Sequence, residues 1–370
     1  MAPLLNLFTR RRQERSGCSP LLLIGGAIIA FLTATAILWS NEGRVDFGRI
    51  GADSIPIKTA ASDPAKDSAF VAANGVLVGD KPVGDGSFLH PGDWLELERL
   101  VEMYAWEQKS AGSDAEGEAD SYAYSLAWTD KPADSSIFDV PDGHTNPAPS
   151  VSPGNFRPES GRLGSYRIDL RGLDLPAGDP LVVDKEQLIA GSERALSGEY
   201  IFVGKGTLAE PAVGDLRIRF QAVPSGKQAT LFGQVEGDSI APYFHKERER
   251  LYRAFFSGRA DALAAMSAEY RFALWGMRVA GLGLYWTSLM LVFSPFTRLL
   301  GGVPLLGRLG KGLIAAVTFV VAALLALVVA SVAYLFHNPL VLFVLLLLAG
   351  MLFAVGRVVW QRQQQKAGQL

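Results

Sequence analysis

Four histidines carry the acid–base potential of this 370-residue chain: His90, His144, His245 and His337. His144 stands in Gly143-His144-Thr145-Asn146-Pro147, a few residues after Asp139 and Asp142. An imidazole beside carboxylates can act as a general base or a ligand. The same segment is rich in Asp, Gly, Asn and Pro, which is the composition of a turn. His90 precedes Pro91-Gly92 and reads as a turn residue; His245 lies in a charge run; His337 precedes Asn338-Pro339. No two histidines have metal-ligand spacing. The single cysteine, Cys18, excludes an intramolecular disulfide and a site built on several thiolates, and leaves a free thiol open to acylation. Gly307-Arg308-Leu309-Gly310-Lys311-Gly312 lacks the spacing of a phosphate loop. Asp114–Asp120 lacks the residue order of an EF-hand and reads as a solvated loop. The expectation is no catalytic, cofactor or metal residue, with an enzyme using His144 as the alternative.

The elements that would hold such groups begin with apolar runs. Pro20–Trp39 is twenty residues without a charge, long enough to span about 30 Å of hydrocarbon. Arg10, Arg11, Arg12 and Arg15 precede it, and Ser40-Asn41-Glu42-Gly43 is a poor cleavage site, so it reads as an uncleaved signal anchor. Three further spans are predicted at 274–293, 312–336 and 339–359. Arg278, near the start of the first of these, can snorkel to the interface. No Asp or Glu follows Glu269, whereas eight Lys or Arg do. Residues 41–270 hold 23 basic and 36 acidic residues, a net of −13, although the whole chain carries −2. Basic loops stay in the cytoplasm. The N-terminus 1–19, the loop 294–311 and the tail 360–370 are therefore expected there, with residues 41–270 outside. An acidic middle also disfavours a nucleic-acid partner. The spans lack ionisable groups away from their ends, which disfavours a transporter, although an oligomeric pore stays open as an alternative.

The middle region reads as mainly β. Asp215–Val223 alternates apolar and polar residues, and Pro224-Ser225-Gly226 suggests a hairpin to Gln228–Val235. Further strand candidates are Gly75–Val78, Tyr122–Trp128, Ser165–Leu170 and Gly198–Val203, with helices at Leu95–Trp106 and Asp184–Ser192. From His245 to about residue 273 the pattern suggests an amphipathic helix, bent at Gly258, that leads into the second span and lies on the β domain, on lipid or on a neighbouring subunit. The β domain proper is then 40–244. The fold class is an α+β membrane protein, with one N-terminal and three C-terminal transmembrane helices around a mainly-β extracytoplasmic domain.

Several segments together resemble the transmembrane protein 43 family, also called LUMA. They are Asn41-Glu42-Gly43-Arg44 after the first span, the block Leu100–Trp106, and Tyr122–Pro149 with Tyr124, Trp128, Ser135, Phe138, Asn146 and Pro147 in the family's order. A last segment runs from Arg278 through Ser294-Pro295 to Pro304-Leu305-Leu306-Gly307. The acidic insertion Ser113–Asp120 departs from the family's pattern. The resemblance implies a membrane protein with a large extracytoplasmic domain that associates with itself. It marks Glu42, Arg44, Glu102, Trp106, Trp128, Asn146 and Pro147 as structural or interaction residues. The Ala/Gly-rich, cysteine-poor composition suggests a bacterial member, so the nuclear-envelope partners of eukaryotic relatives are not carried over. The expected function is a non-enzymatic scaffold that organises or monitors the envelope from the bacterial inner membrane. Its expected partners are the lipid bilayer, a second copy of itself, and an envelope protein or lipid.

Overall fold

A computed structural model of the chain describes residues 20–61, 66–110, 122–191, 195–300 and 304–367. The basic segment 1–19, the insertion Ser113–Asp120, Ser192 and Gly301-Gly302 lie outside the described residues. The chain divides into two compact units, residues 47–266 and residues 1–46 with 267–370.

The first unit is built mainly of short strands, in chain order β1 (Ile55–Lys58), β2 (Phe70–Gly79), β3 (Trp94–Ser110), β4 (Tyr122–Thr129), β5 (Gly154–Phe156), β6 (Ser160–Leu163), β7 (Tyr166–Asp169) and β8 (Asp179–Leu181). They continue with β9 (Leu196–Ser197), β10 (Tyr200–Val203), β11 (Leu216–Pro224), β12 (Lys227–Glu236), β13 (Ser239–Ala241), β14 (Tyr243–His245), β15 (Glu249–Leu251) and β16 (Arg253–Phe255). In one sheet β2 pairs with β6, β6 with β7, β7 with β13, β13 with β12, and β12 again with β2. The five strands thus close a ring, which removes their free edges. Val71, Ala73, Leu77, Leu163, Tyr166, Ile168, Leu231 and Val235 form its core. A second sheet runs β4-β3-β11-β10-β9, with β5 on β3 and β8 on β11. Its core is Leu97, Val101, Met103, Ala105, Ile201, Leu216, Ile218 and Phe220, closed by Val83, Leu89 and Leu188.

Three sequence expectations are corrected in this unit. Leu95–Trp106 is the long strand β3, not a helix. Leu, Glu and Met favour helix, but Leu95, Leu97, Val101, Met103 and Ala105 bury at a period of two, and that packing outweighs the weak intrinsic preference. Among the described residues of the segment from Asp184, only Lys185–Gln187 is helical, as a single 3-10 turn. The hairpin at Pro224-Ser225-Gly226 does not form either. β11 pairs with β3 and β12 with β2, so these residues are a corner between the two sheets. Ser225 N donates to Asp93 O and Gly226 N to Leu77 O, which ties the corner to β2 and to the residue just before β3.

The amphipathic helix expected from His245 is corrected as well. Residues 243–255 form β14, β15 and β16, with Lys246 and Glu247 at positive φ in the turn between the first two. The apolar spacing that suggests a helix splits over two cores: Leu251 and Phe255 pack with Phe232, whereas Tyr252 and Ala254 join the ring interior. The helix begins only at α3 (Arg259–Leu300), where Ala262 and Met266 bury beside Phe232. Gly258 accepts the bond from Ala262 N before the first turn and bends nothing. A one-turn helix α2 (Phe47–Ala52) also belongs to this unit.

The second unit contains α1 (Pro20–Glu42), the remainder of α3, α4 (Pro304–His337) and α5 (Pro339–Ala367). α1 runs antiparallel to α3: Ser288 Oγ donates to Ala27 O, Thr35 and Tyr285 share a hydroxyl bond of 2.8 Å, and Asn41 Nδ2 donates to Leu274 O. At Gly281 an added Cβ would lie 2.6 Å from Leu38 Cγ, so this glycine is what lets α1 and α3 approach. Ala34, Leu38, Tyr285 and Ala322 form the interior, while Ile29, Leu32, Val279, Leu313, Leu324 and Phe343 are exposed. A bundle apolar outside as well as inside has lipid, not water, as its surroundings.

Among the described residues, three helices are long and apolar enough to cross a membrane, within Leu22–Ala52, Arg259–Ser294 and Gly312–His337. Four spans are expected from the sequence. Among the described residues the fourth apolar stretch, Pro339–Met351, is shorter.

Candidate functional site

Leu95, Leu97, Val101, Met103 and Ala105 of β3 enter the core, so Glu102, Tyr104, Trp106 and Gln108 share the opposite face. The register places Glu102 opposite Arg217, Tyr104 opposite Trp128 and Gln108 opposite Tyr124. Arg217 Nε donates to Glu102 Oε2 at 2.8 Å. The same guanidinium lies 4.8 Å from the Trp128 ring and 4.9 Å from the Tyr200 ring, a cation held between two aromatic faces.

Asn146 extends the β3 ladder beyond the end of β11. Tyr104 N donates to Asp215 O and accepts from Gly214 N through its carbonyl, and there β11 stops. At the next outward-facing position Asn146 Oδ1 accepts from Trp106 N at 2.8 Å, while Asn146 Nδ2 donates to Trp106 O at 3.0 Å. The carboxamide therefore stands in for one residue of a neighbouring strand. Pro147 fills the space beside Gly214, whose φ is +92° and whose added Cβ would fall 2.5 Å from Pro147 Cγ. Asn146→Ala removes both pairing bonds and strands two strand groups, and is expected to cost about 1–3 kcal/mol. Chemical denaturation of the full chain in detergent measures this; a change below about 0.5 kcal/mol would refute the pairing role.

His144 packs within this face. Its Nδ1 meets Val140 O at 2.9 Å, and its ring stacks on Tyr124 with centroids 3.9 Å apart and stands edge-on to Trp106 at 4.7 Å. Its acidic neighbour Asp139 turns elsewhere, accepting from Gln108 Nε2 at 2.6 Å. Loop 130–147 thus forms a lid of aromatic and amide contacts on the outer face of β3 and β4. Among the described residues no group of three His, Cys, Asp or Glu side chains could hold a metal ion.

Two carboxylates missed by the sequence reading organise loops of this unit. Asp85 Oδ1 accepts from the backbone N–H of Ser87, Phe88 and Leu89, and Oδ2 accepts from Arg99 Nη1 at 2.7 Å. Burial raises the Asp85 pKa, and these donors together outweigh it, so the carboxyl titrates below its ordinary range. Asp215 likewise binds Lys205 N, Gly206 N and Ala212 N. Burial again raises the pKa, the bonds outweigh it, and the result is lowered.

Within the helical unit Glu42 and Arg278 form a bidentate pair, Nε to Oε1 and Nη2 to Oε2, both 2.8 Å. The guanidinium lies 4.9 Å from the Trp275 ring. Arg278 thus has a partner that its reading as a snorkelling residue does not supply. Arg44 is exposed just beyond α1. Of the seven residues singled out, Glu102 and Trp128 meet at Arg217. Trp106, Asn146 and Pro147 meet where β11 ends.

Lipid-facing helices joined to a two-sheet β unit define a multi-pass α+β membrane protein. The chain belongs to the transmembrane protein 43 family, whose profile matches residues 103–339. It is similar to the transmembrane protein 43 homolog of Drosophila melanogaster, 26% identical over 362 residues that cover 90% of this chain and 92% of that protein. No solved structure matches.

Proposed function

We propose that the chain is a non-enzymatic membrane scaffold that self-associates through its β unit and so organises or monitors an envelope. The observation that carries this reading is strand β4. It forms one edge of the second sheet and reads Tyr-Ala-Tyr-Ser-Leu-Ala-Trp-Thr, eight residues without a charge or a proline. Soluble proteins normally protect such an edge with Lys, Pro or a bulge, because it templates pairing with another chain. Among the described residues no further strand pairs with β4, and such an edge in a region of net −13 fits a strand that pairs with a second copy or with an envelope protein. His144 supports the non-enzymatic part, since its ring is engaged in packing on both sides.

In the proposed topology four spans place the N-terminus and the tail in the cytoplasm of a bacterial cell and residues 41–270 in the periplasm. The clustering of basic residues at the two ends supports it. Light scattering on the purified chain, corrected for detergent, is expected to give a multiple of 39.8 kDa. Ser125→Lys puts a charge on the β4 edge and is expected to reduce the mass to one chain. A single chain across a tenfold concentration range, without crosslinking in native membranes, would refute self-association. In a Cys18→Ser background an impermeant thiol reagent is expected to label Val182→Cys, but not Gln364→Cys, in intact spheroplasts. Labelling of both would mean three spans; labelling of the tail alone would reverse the orientation.

A further inference from the structure

A groove of about 620 Å³ runs along the helical unit between α1, α3 and α4. Its floor is α4, which presents Ala323, Ala326 and Ala330 at spacings of three and four. Such positions lie on one helix face. Methyl groups there are too small to reach the wall formed by Val279 and Leu282 of α3, so an apolar trough is left open. Protein interiors are ordinarily filled to crystal density. The exposure of Val279 and Leu327 opens this trough toward the lipid.

The groove contains a charged pair, Glu42 with Arg278. The Glu42 side chain is 2% exposed and that of Arg278 30%, so the pair presents its cationic half. Glu42 takes one N–H from Nε and one from Nη2. The other guanidinium N–H groups have no partner among the described residues, and an arginine carries five donors. Trp275 and Tyr334 also line the groove; both residue types favour the headgroup level of a bilayer. Apolar floor, aromatic rim and a cation with spare donors are the complement of a phospholipid.

A second copy of the chain matches the groove less well. No Asp or Glu follows Glu269, and Glu42 is the sole acid between residues 20 and 42. The spans of a neighbouring copy therefore bring no carboxylate to Arg278 beyond one already paired, whereas a phosphodiester does.

We propose that this groove is a phospholipid site. One acyl chain lies on the alanine floor of α4, and the phosphate accepts from the spare N–H groups of Arg278. The full chain, washed free of lipid in detergent, is examined by native mass spectrometry. The probes are phosphatidylglycerol, phosphatidylcholine and a diacylglycerol with the same acyl chains. The expected result is one retained phospholipid per chain with either headgroup, and at least tenfold weaker retention of diacylglycerol. Ala330→Trp fills the trough and leaves the Glu42–Arg278 pair in place. It is expected to abolish retention while the lipid-free melting temperature shifts by only a few degrees. Arg278→Gln is expected to erase the preference for phospholipid over diacylglycerol. Equal retention of diacylglycerol by the unaltered chain, retention undiminished by Ala330→Trp, or no retention at all would each overturn the proposal. Lipid is counted per chain, so the result stands apart from whether the chain self-associates.

Discussion

Asp85→Ala is expected to destabilise the β unit by about 3–5 kcal/mol, because it strands a buried cation. The Asp85 side chain is fully buried and that of Arg99 is 11% exposed. Removing the carboxylate leaves a guanidinium without its counter-charge, and three backbone N–H groups without an acceptor. Arg99 also lies 5.3 Å from the Phe156 ring and donates from Nε to Ser152 O, so it cannot turn to water without disturbing β5 and its approach. The melting temperature of the full chain in detergent is expected to fall by roughly 10 °C, taking a few degrees per kcal/mol for a unit of this size. A loss below about 1 kcal/mol would show that Asp85 does not hold the loop. The pH dependence follows from the direction of the shift. The folded pKa is lower than the unfolded one, so the contribution is fully present above the ordinary carboxylate value of about 3.9. It is lost as pH falls through the lower folded value. Asp85→Ala should therefore flatten the acid limb of the stability profile and leave its neutral plateau shape unchanged.

Arg278→Met is expected to cost about 3–5 kcal/mol, because it strands a carboxylate that is almost wholly buried. Glu42→Gln is expected to cost less, about 1.5–3 kcal/mol. It leaves the cation, which is partly exposed and lies against Trp275. The double variant is expected to be more stable than Arg278→Met alone, since no unpaired ion remains. Resistance of the detergent-purified chain to thermal unfolding measures the three variants as a cycle. Additive losses would show that the two side chains do not act as a pair.

Much of the helical unit was legible in the sequence. A run of twenty residues without a charge has few structures open to it in lipid, because every backbone group must be paired within the segment. Several β candidates were legible for a similar reason. Alternation such as Leu216, Ile218 and Phe220 against Arg217 and Arg219 follows directly from the pleat. Where composition and period disagreed, composition misled: Leu95–Trp106 is rich in helix formers, yet its buried residues recur every two positions. Residues 245–258 misled in the opposite way, because apolar residues divided between two cores mimic a helical stripe.

The candidate site was legible as residue types and not as an arrangement. The sequence by itself determined the apolar helices, the acidic β-rich middle, and the outward side of β11 on which Arg217 stands. Which strands became neighbours was decided only by tertiary structure. The corner at Pro224-Ser225-Gly226 has the residues of a hairpin turn, and nothing local distinguishes the two outcomes. The partners do: β11 finds β3, and β12 finds β2, each more than a hundred residues away in the chain. The same holds for Asn146 on the backbone of Trp106 and for Glu42 on Arg278, separated by 40 and 236 residues. Local preference acts over a few residues, whereas burial and charge pairing act through space. The chain therefore encodes its elements locally and its site only through the packing that brings them together.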